Sequence, residues 1–143
     1  MKIAIASDHG GYALKETIKA HLSDRNIAYE DFGTDKDMVS VDYPNYAQKV
    51  SDAILTKAAD CGILICGTGI GMSIAANRNK GIRAAVVGDV FSATATKEHN
   101  NANIICLGQR VTGDGLALMI VDAWLDAEFQ GKRHQQRIDL LEK

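Results

Sequence analysis

Residues 61–77 read Cys-Gly-Ile-Leu-Ile-Cys-Gly-Thr-Gly-Ile-Gly-Met-Ser-Ile-Ala-Ala-Asn, and no other stretch restricts the fold as tightly. An unbroken apolar run cannot offer one face to water. Cys61–Cys66 therefore predicts a strand buried on both faces, the situation of a parallel sheet. Gly67, Gly69 and Gly71 follow at alternate positions. They let the backbone turn tightly and bring its N–H groups close to a negative charge. Met72–Asn77 reads as the beginning of a helix, whose N-terminal dipole adds to the same spot.

The rest of the chain supplies matching parts. Lys2–Ser7 is a first strand, followed by the loop Asp8-His9-Gly10-Gly11 and a helix marked by Leu14, Ile18 and Leu22. Ile27–Phe32 is a weaker strand. A polar loop runs on to Asp42, and Pro44 suits the first turn of a helix lined by Tyr46, Val50 and Ile54. Arg83–Val87 and Asn103–Leu107 are further strands, with a helix across Phe91–Glu98 between them. Leu116, Met119, Ile120, Ala123, Trp124 and Ala127 mark an amphipathic helix that Gly131 is expected to end. Arg133–Leu141 reads as a last short helix. Strands alternating with helices predict an α/β fold: a three-layer α/β/α sandwich around a Rossmann-like five-stranded parallel sheet.

With 143 residues, 46% of them apolar, the chain can form one domain, 1–143, with its own core. A net charge of -2 leaves no basic footprint for nucleic acid. No apolar stretch reaches transmembrane length and no signal-peptide pattern is present, so the expected location is the cytoplasm. Cys61, Cys66 and Cys106 are odd in number and form neither a disulfide framework nor a zinc spacing.

In open parallel sheets, ligands bind beyond the carboxyl ends of the strands where strand order reverses. If the first strand lies between the second and third, Asp8–Gly11 and Cys66–Gly71 meet in one crevice. Cys66 could serve there as nucleophile or base, Thr68 as a hydroxyl, and the glycine amides as oxyanion donors. Each residue also has a plainer reading. Cys66 alone is a small apolar strand end; the glycine loop and helix terminus beside it favour a thiolate. Cys61 and Cys106 lack that setting and read as core. Asp8 by default is an N-cap, while His9 at such a crevice could meet a phosphate or carry a proton. His99, ending a helix, could simply offset its dipole. Arg133 and Arg137 share one helix face, solvated by default, and a phosphate clamp in the functional reading. The glycine spacing is not the dinucleotide fingerprint and no Walker lysine follows, which weighs against a nucleotide-binding module.

Taken together the segments resemble the type B ribose-5-phosphate isomerases, within the ribose, galactose and allose phosphate isomerases. The resemblance runs end to end. It rests on Ser7–Gly11, Asp42-Tyr43-Pro44, Ile65–Gly71, Ser73–Asn77, Gly81–Ala84, His99-Asn100, Gly108–Val111, Val121–Leu125 and Gly131–Arg137. It implies an enzyme that interconverts ribose 5-phosphate and ribulose 5-phosphate through a cis-enediolate, with no metal or organic cofactor. In that reading Cys66 is the base, the Gly67, Gly69 and Gly71 loop holds the enediolate oxygen, and Thr68 passes a proton between the two oxygens. His99 opens the furanose ring with Asp8 assisting. His9, Arg133, Arg137 and Arg110 hold the phosphate, and Tyr43 and Asn100 line the pocket. One branch of the family carries a glutamate base four positions beyond Thr68; here that position is Met72, which favours the cysteine branch. The resemblance further implies a homodimer, in some members a tetramer, with a shared site into which His99 and Asn100 reach from the partner. Helix 133–141 would pack at the site or the dimer interface. An allose 6-phosphate or galactose 6-phosphate isomerase would use the same groups, and a non-catalytic sugar-phosphate binder is the reading outside catalysis.

Overall fold

A computed structural model of the chain describes residues 1–143. Five parallel strands form one sheet: β1 (Lys2–Ser7), β2 (Ala28–Asp31), β3 (Cys61–Cys66), β4 (Ala84–Val86) and β5 (Ile104–Gly108). Their order is β2-β1-β3-β5-β4. Six helices complete the chain: α1 (Tyr12–Asp24), α2 (Tyr43–Leu55), α3 (Ile70–Ala76), α4 (Val90–Asn100), α5 (Asp114–Asp126) and α6 (Arg133–Leu141). This is the expected α/β/α sandwich, and β1 does lie between β2 and β3.

Strand period separates the two cores. Ile3, Ile5, Ile63, Ile65, Ile105 and Leu107 point to one face and meet Leu14, Ile18 and Leu22 of α1 and Ile120, Val121 and Trp124 of α5. Ala4, Ala6, Leu64, Cys66, Ile104 and Cys106 point to the other and meet Ala47 and Val50 of α2 and Met72 and Ala76 of α3. All of β3 and β5 is buried, which is why their sequences carry no polar alternation. No helix is long and apolar enough to cross a membrane.

Three local expectations need correction. The helix after the glycine loop begins at Ile70 and lasts only seven residues. Leu116 and Met119 are exposed, while Ala117 and Val121 are buried with Ile120 and Trp124. Helix α5 is apolar nearly all round, so periodicity leaves its inward face undecided. The Trp124 indole settles it, donating to the Ala102 carbonyl at 3.2 Å. Finally, α5 ends at Asp126, where Ala127 turns extended (ψ 155°), and not at Gly131. Gly131 and Lys132 both have positive φ (65° and 53°), and they turn the chain into α6.

The sheet's two edges carry different things. At the carboxyl edge, β1 and β3 release their chains in divergent directions and open the crevice. A 3-10 turn (His9–Gly11) lies so close over β3 that a methyl on Gly11 would sit 2.6 Å from the Ile65 carbonyl oxygen. At the amino edge, α4 ends and α6 packs across it.

Candidate active site

The Cys66 sulfur sits at the last residue of β3, almost wholly buried, and accepts a hydrogen bond from the Gly69 N–H at 3.1 Å. Gly69 adopts φ 83°, the left-handed conformation that side chains resist. That conformation folds the amide back onto the sulfur, and a donor aimed there supports a negative charge. The other two cysteines have no such donor. Burial pushes the Cys61 thiol up to about 11 and also pushes Cys106 up, as expected of inert core residues.

The N–H groups of Gly67, Thr68 and Gly71 meet no acceptor of the chain, while Ile70 N–H donates to the Thr68 hydroxyl at 3.2 Å. Unengaged amides in the loop beside a buried sulfur are donors that a developing oxyanion can use. Thr68 itself is exposed. No three His, Cys, Asp or Glu side chains converge as a metal site would require.

Around this loop the structure gathers further predicted residues. Asp8 caps the 3-10 turn, its Oδ1 accepting from Gly10 N–H at 2.9 Å. Asp8 thus caps the 3-10 turn and not α1, whose N-cap position is Gly11. His9 Nδ1 accepts from the Val41 N–H at 3.1 Å. In the neutral ring the proton must then sit on Nε2, which is left as a donor. A methyl on Gly71 would lie 2.8 Å from the Tyr43 ring, and one on Gly67 would lie 3.4 Å from Arg110 Cδ. Tyr43 and Arg110 thus flank the loop. Arg110 is held by its own N–H to the Gly67 carbonyl at 3.0 Å.

His99, Asn100, Arg133 and Arg137 lie elsewhere. His99 and Asn100 end α4 at the amino edge, beside the start of β4, where Arg83 Nε donates to the Asn100 carbonyl at 2.9 Å. Arg133 and Arg137 stand exposed on α6, which packs on α4. The length of a five-residue strand, about 16 Å, separates this group from Cys66. Within one chain, then, the predicted residues form two clusters at opposite edges of the sheet.

Two features escaped the sequence reading. Lys15 is fully buried. Its ammonium donates to both Asp31 carboxylate oxygens (2.8 and 2.7 Å) and to the Thr34 carbonyl (2.7 Å). Thr34 and Gly33 in turn exchange backbone hydrogen bonds with Ser7, each at 2.7 Å, so the network props up the segment that presents Asp8 and His9. A lysine at helical spacing next to Leu14 looks like a solvated side chain, and only the distant Asp31 makes it otherwise. The second is His134, buried on α6 and stacked on the His99 ring. The pair lies 35 residues apart in sequence.

The arrangement has known counterparts. Residues 3–141 match the family model described as ribose/galactose isomerase. Ribose-5-phosphate isomerase B of Escherichia coli (strain K12) is 49% identical over 140 residues, spanning 98% of this chain and 93% of that protein. A solved structure of ribose-5-phosphate isomerase B from Clostridium thermocellum superposes with a TM-score of 0.98 at 53% identity, covering 99% of this chain and 95% of the other. The Mycoplasma genitalium ribose-5-phosphate isomerase B, solved with bound ribulose-5-phosphate, gives 0.95 at 42% identity, with coverage of 99% and 94%. With the family model matched from the first strand to the last helix, and such relatives matched along nearly their whole length, the chain belongs to the ribose/galactose isomerase family.

Proposed function

We propose that this chain interconverts ribose 5-phosphate and ribulose 5-phosphate in the cytoplasm. The observation that carries the reading is the Gly69 N–H aimed at the buried Cys66 sulfur, with unengaged loop amides beside it. The reaction begins with ring opening. The C1 hydroxyl loses its proton, the bond from C1 to the ring oxygen breaks, and that oxygen is protonated. His99 handles this exchange with Asp8 assisting. The Cys66 thiolate then removes the C2 proton, and charge moves onto the C1 oxygen, where the loop amides receive it. Thr68 passes a proton between the two enediolate oxygens, and Cys66 returns its proton to C1. His9 Nε2–H, Arg110, Arg133 and Arg137 bind the phosphate, with Tyr43 and Asn100 lining the pocket.

This scheme needs the two clusters together, so the working unit is a two-fold dimer in which the amino edge of one chain meets the carboxyl edge of the other. Helix α6 then packs at the shared site. An apolar surface supports the pairing: Ile70 and Ile74 are one turn apart on α3 and 54% and 60% exposed, and Phe91 at the start of α4 is 80% exposed.

The test is a side-by-side assay of ribose 5-phosphate and allose 6-phosphate, each with and without EDTA. Turnover of ribose 5-phosphate that EDTA leaves undiminished is expected. Preference for allose 6-phosphate would move the assignment to the six-carbon branch. Activity lost on chelation and restored by a divalent ion would sink the metal-free scheme.

A further inference from the structure

Helix α6 is anchored at both ends against the amino edge. Before it, the Gln130 N–H donates to the Glu98 carbonyl at 3.0 Å. At its far end Glu142 accepts from Arg83 Nη1 at 2.8 Å and from the Gly81 N–H at 3.0 Å. Arg83 also holds the Asn100 and Asn101 carbonyls that close α4. Between these anchors, His134 lies under His99 with ring centroids 4.4 Å apart and planes 15° from parallel. His134 is only 6% exposed, and its Nε2 has no hydrogen-bond partner. A surface basic helix does not need a histidine there. A leucine would fill the space without leaving a buried nitrogen unpartnered, and that cost calls for a reason.

We propose that His134 is a positioning residue for ring opening: a flat platform that fixes the plane of His99 so that its nitrogens face the crevice of the partner chain. The inference rests on His99 being the ring-opening group. Burial pushes His134 below the usual histidine value, and Arg133, His99 and Arg137 push it the same way. His134 therefore takes up a proton less readily than an ordinary histidine. The platform also explains the spacing of α6. His134 and Ile138 share the buried stripe, and the intervening register turns Arg133 and Arg137 outward.

The test separates ring opening from enolisation. Ribulose 5-phosphate cannot close a furanose ring, so washout of label from its C1 into water reports Cys66 chemistry alone. Conversion of ribose 5-phosphate at rising enzyme concentration reports ring opening: an enzyme that cannot open the ring levels off at the uncatalysed opening rate, while one that can continues to rise. His134→Leu keeps the buried volume but loses the plane. It should cut catalysed ring opening on the order of tenfold to a hundredfold, the cost of a misplaced group, so that beyond the uncatalysed rate its conversion rises with a slope lower by that factor. Its label washout should stay within about twofold of the parent. His134→Phe restores a flat ring without a titrating nitrogen and should keep rising as the parent does. His99→Ala is the control and should level off. If His99→Ala levels off and His134→Leu keeps the slope of the parent, the platform is wrong and the ring-opening assignment stands. If His99→Ala keeps rising, that assignment fails and takes the platform with it. Equal loss of washout and conversion in His134→Leu, or early levelling in His134→Phe, would overturn the proposal.

Discussion

At the carboxyl edge of the sheet the groups proposed to react are held by backbone; at the amino edge the proposed ring-opening group is held by other side chains. The sulfur of Cys66, the Thr68 hydroxyl and the Asp8 carboxylate each accept from an amide within three residues of themselves. Once the strand and the glycine turn form, those contacts follow. His99, by contrast, depends on His134 and on an α6 anchored through Arg83 and Glu142. None of these is local. The first edge can be built by one chain; in the proposed scheme the second becomes useful only when another chain is set against it.

The sharpest way to break this contrast is at the sulfur. Cys66→Ala should lower kcat on the order of 10²–10⁴-fold or more, because a carbon-bound proton finds no other base in reach. KM should change little, since the phosphate contacts remain. Solvent exchange at C2 is the direct readout. An alkylating reagent should mark Cys66 ahead of Cys61 and Cys106, and bound phosphosugar should protect it. Equal labelling of all three with activity retained would return Cys66 to the core.

The next test asks whether the two edges belong to different chains. Cys66→Ala and His99→Ala chains, mixed and allowed to exchange by mild unfolding and refolding, form about half mixed dimers. In each, one site carries both mutations and the other carries neither, so roughly a quarter of wild-type sites should return. Initial rates are the measurement, after mass spectrometry has shown that exchange occurred. Activity at the mean of the two parents would place Cys66 and His99 in the same working site of one chain.

A smaller effect distinguishes binding from chemistry at the amino edge. In the proposed scheme Arg137→Ala removes a charge-assisted contact to the phosphate worth roughly 1.5–3 kcal/mol, which is about tenfold to a hundredfold. It should appear in KM far more than in kcat, because the phosphate is remote from the reacting carbons. Unchanged kinetics in both Arg133→Ala and Arg137→Ala would leave the pair as a solvated helix face.

The same contrast explains what could be read from the sequence. The buried strands announce themselves, because β3 must be apolar at every position, and the Cys66–Gly71 turn is local in sequence. The topology then brings Asp8 and Cys66 together by a general rule of parallel sheets. Helix α5 was legible as a helix but not in its facing, since Leu116 and Met119 are as apolar as the residues that turn inward. Gly131 looked like a helix stop and is a helix entry, because a positive φ serves either use. Lys15 and His134 gave no local sign at all. Their roles depend on Asp31, Thr34 and His99, which only the folded chain brings near.

The smallest predicted effect concerns how firmly the carboxyl edge is propped. Burial works against the charge of Asp31, but hydrogen bonds from Lys15, Lys19 and the Gly33 N–H outweigh it and hold the carboxyl below the usual aspartate value. A carboxyl with a lowered folded pKa stabilises fully above its unfolded pKa of about 4, and that stability is lost as pH falls through the folded value. Acid should therefore weaken the hold of Asp31 on the buried Lys15 ammonium, and loosen the Ser7–Thr34 pairing beside the crevice. Because Asp31 is partly exposed, the loss should be about 1 kcal/mol. Urea unfolding at about pH 6 and again at about pH 3 measures it, with Asp31→Asn as the comparison because its side chain does not titrate. The variant should be less stable than the parent at the higher pH and should lose less on acidification. Other aspartates titrate equally in both proteins, so only the difference between the two slopes counts. Equal slopes would mean that Asp31 gains nothing from Lys15 on folding, and that the carboxyl edge stands on its backbone contacts alone.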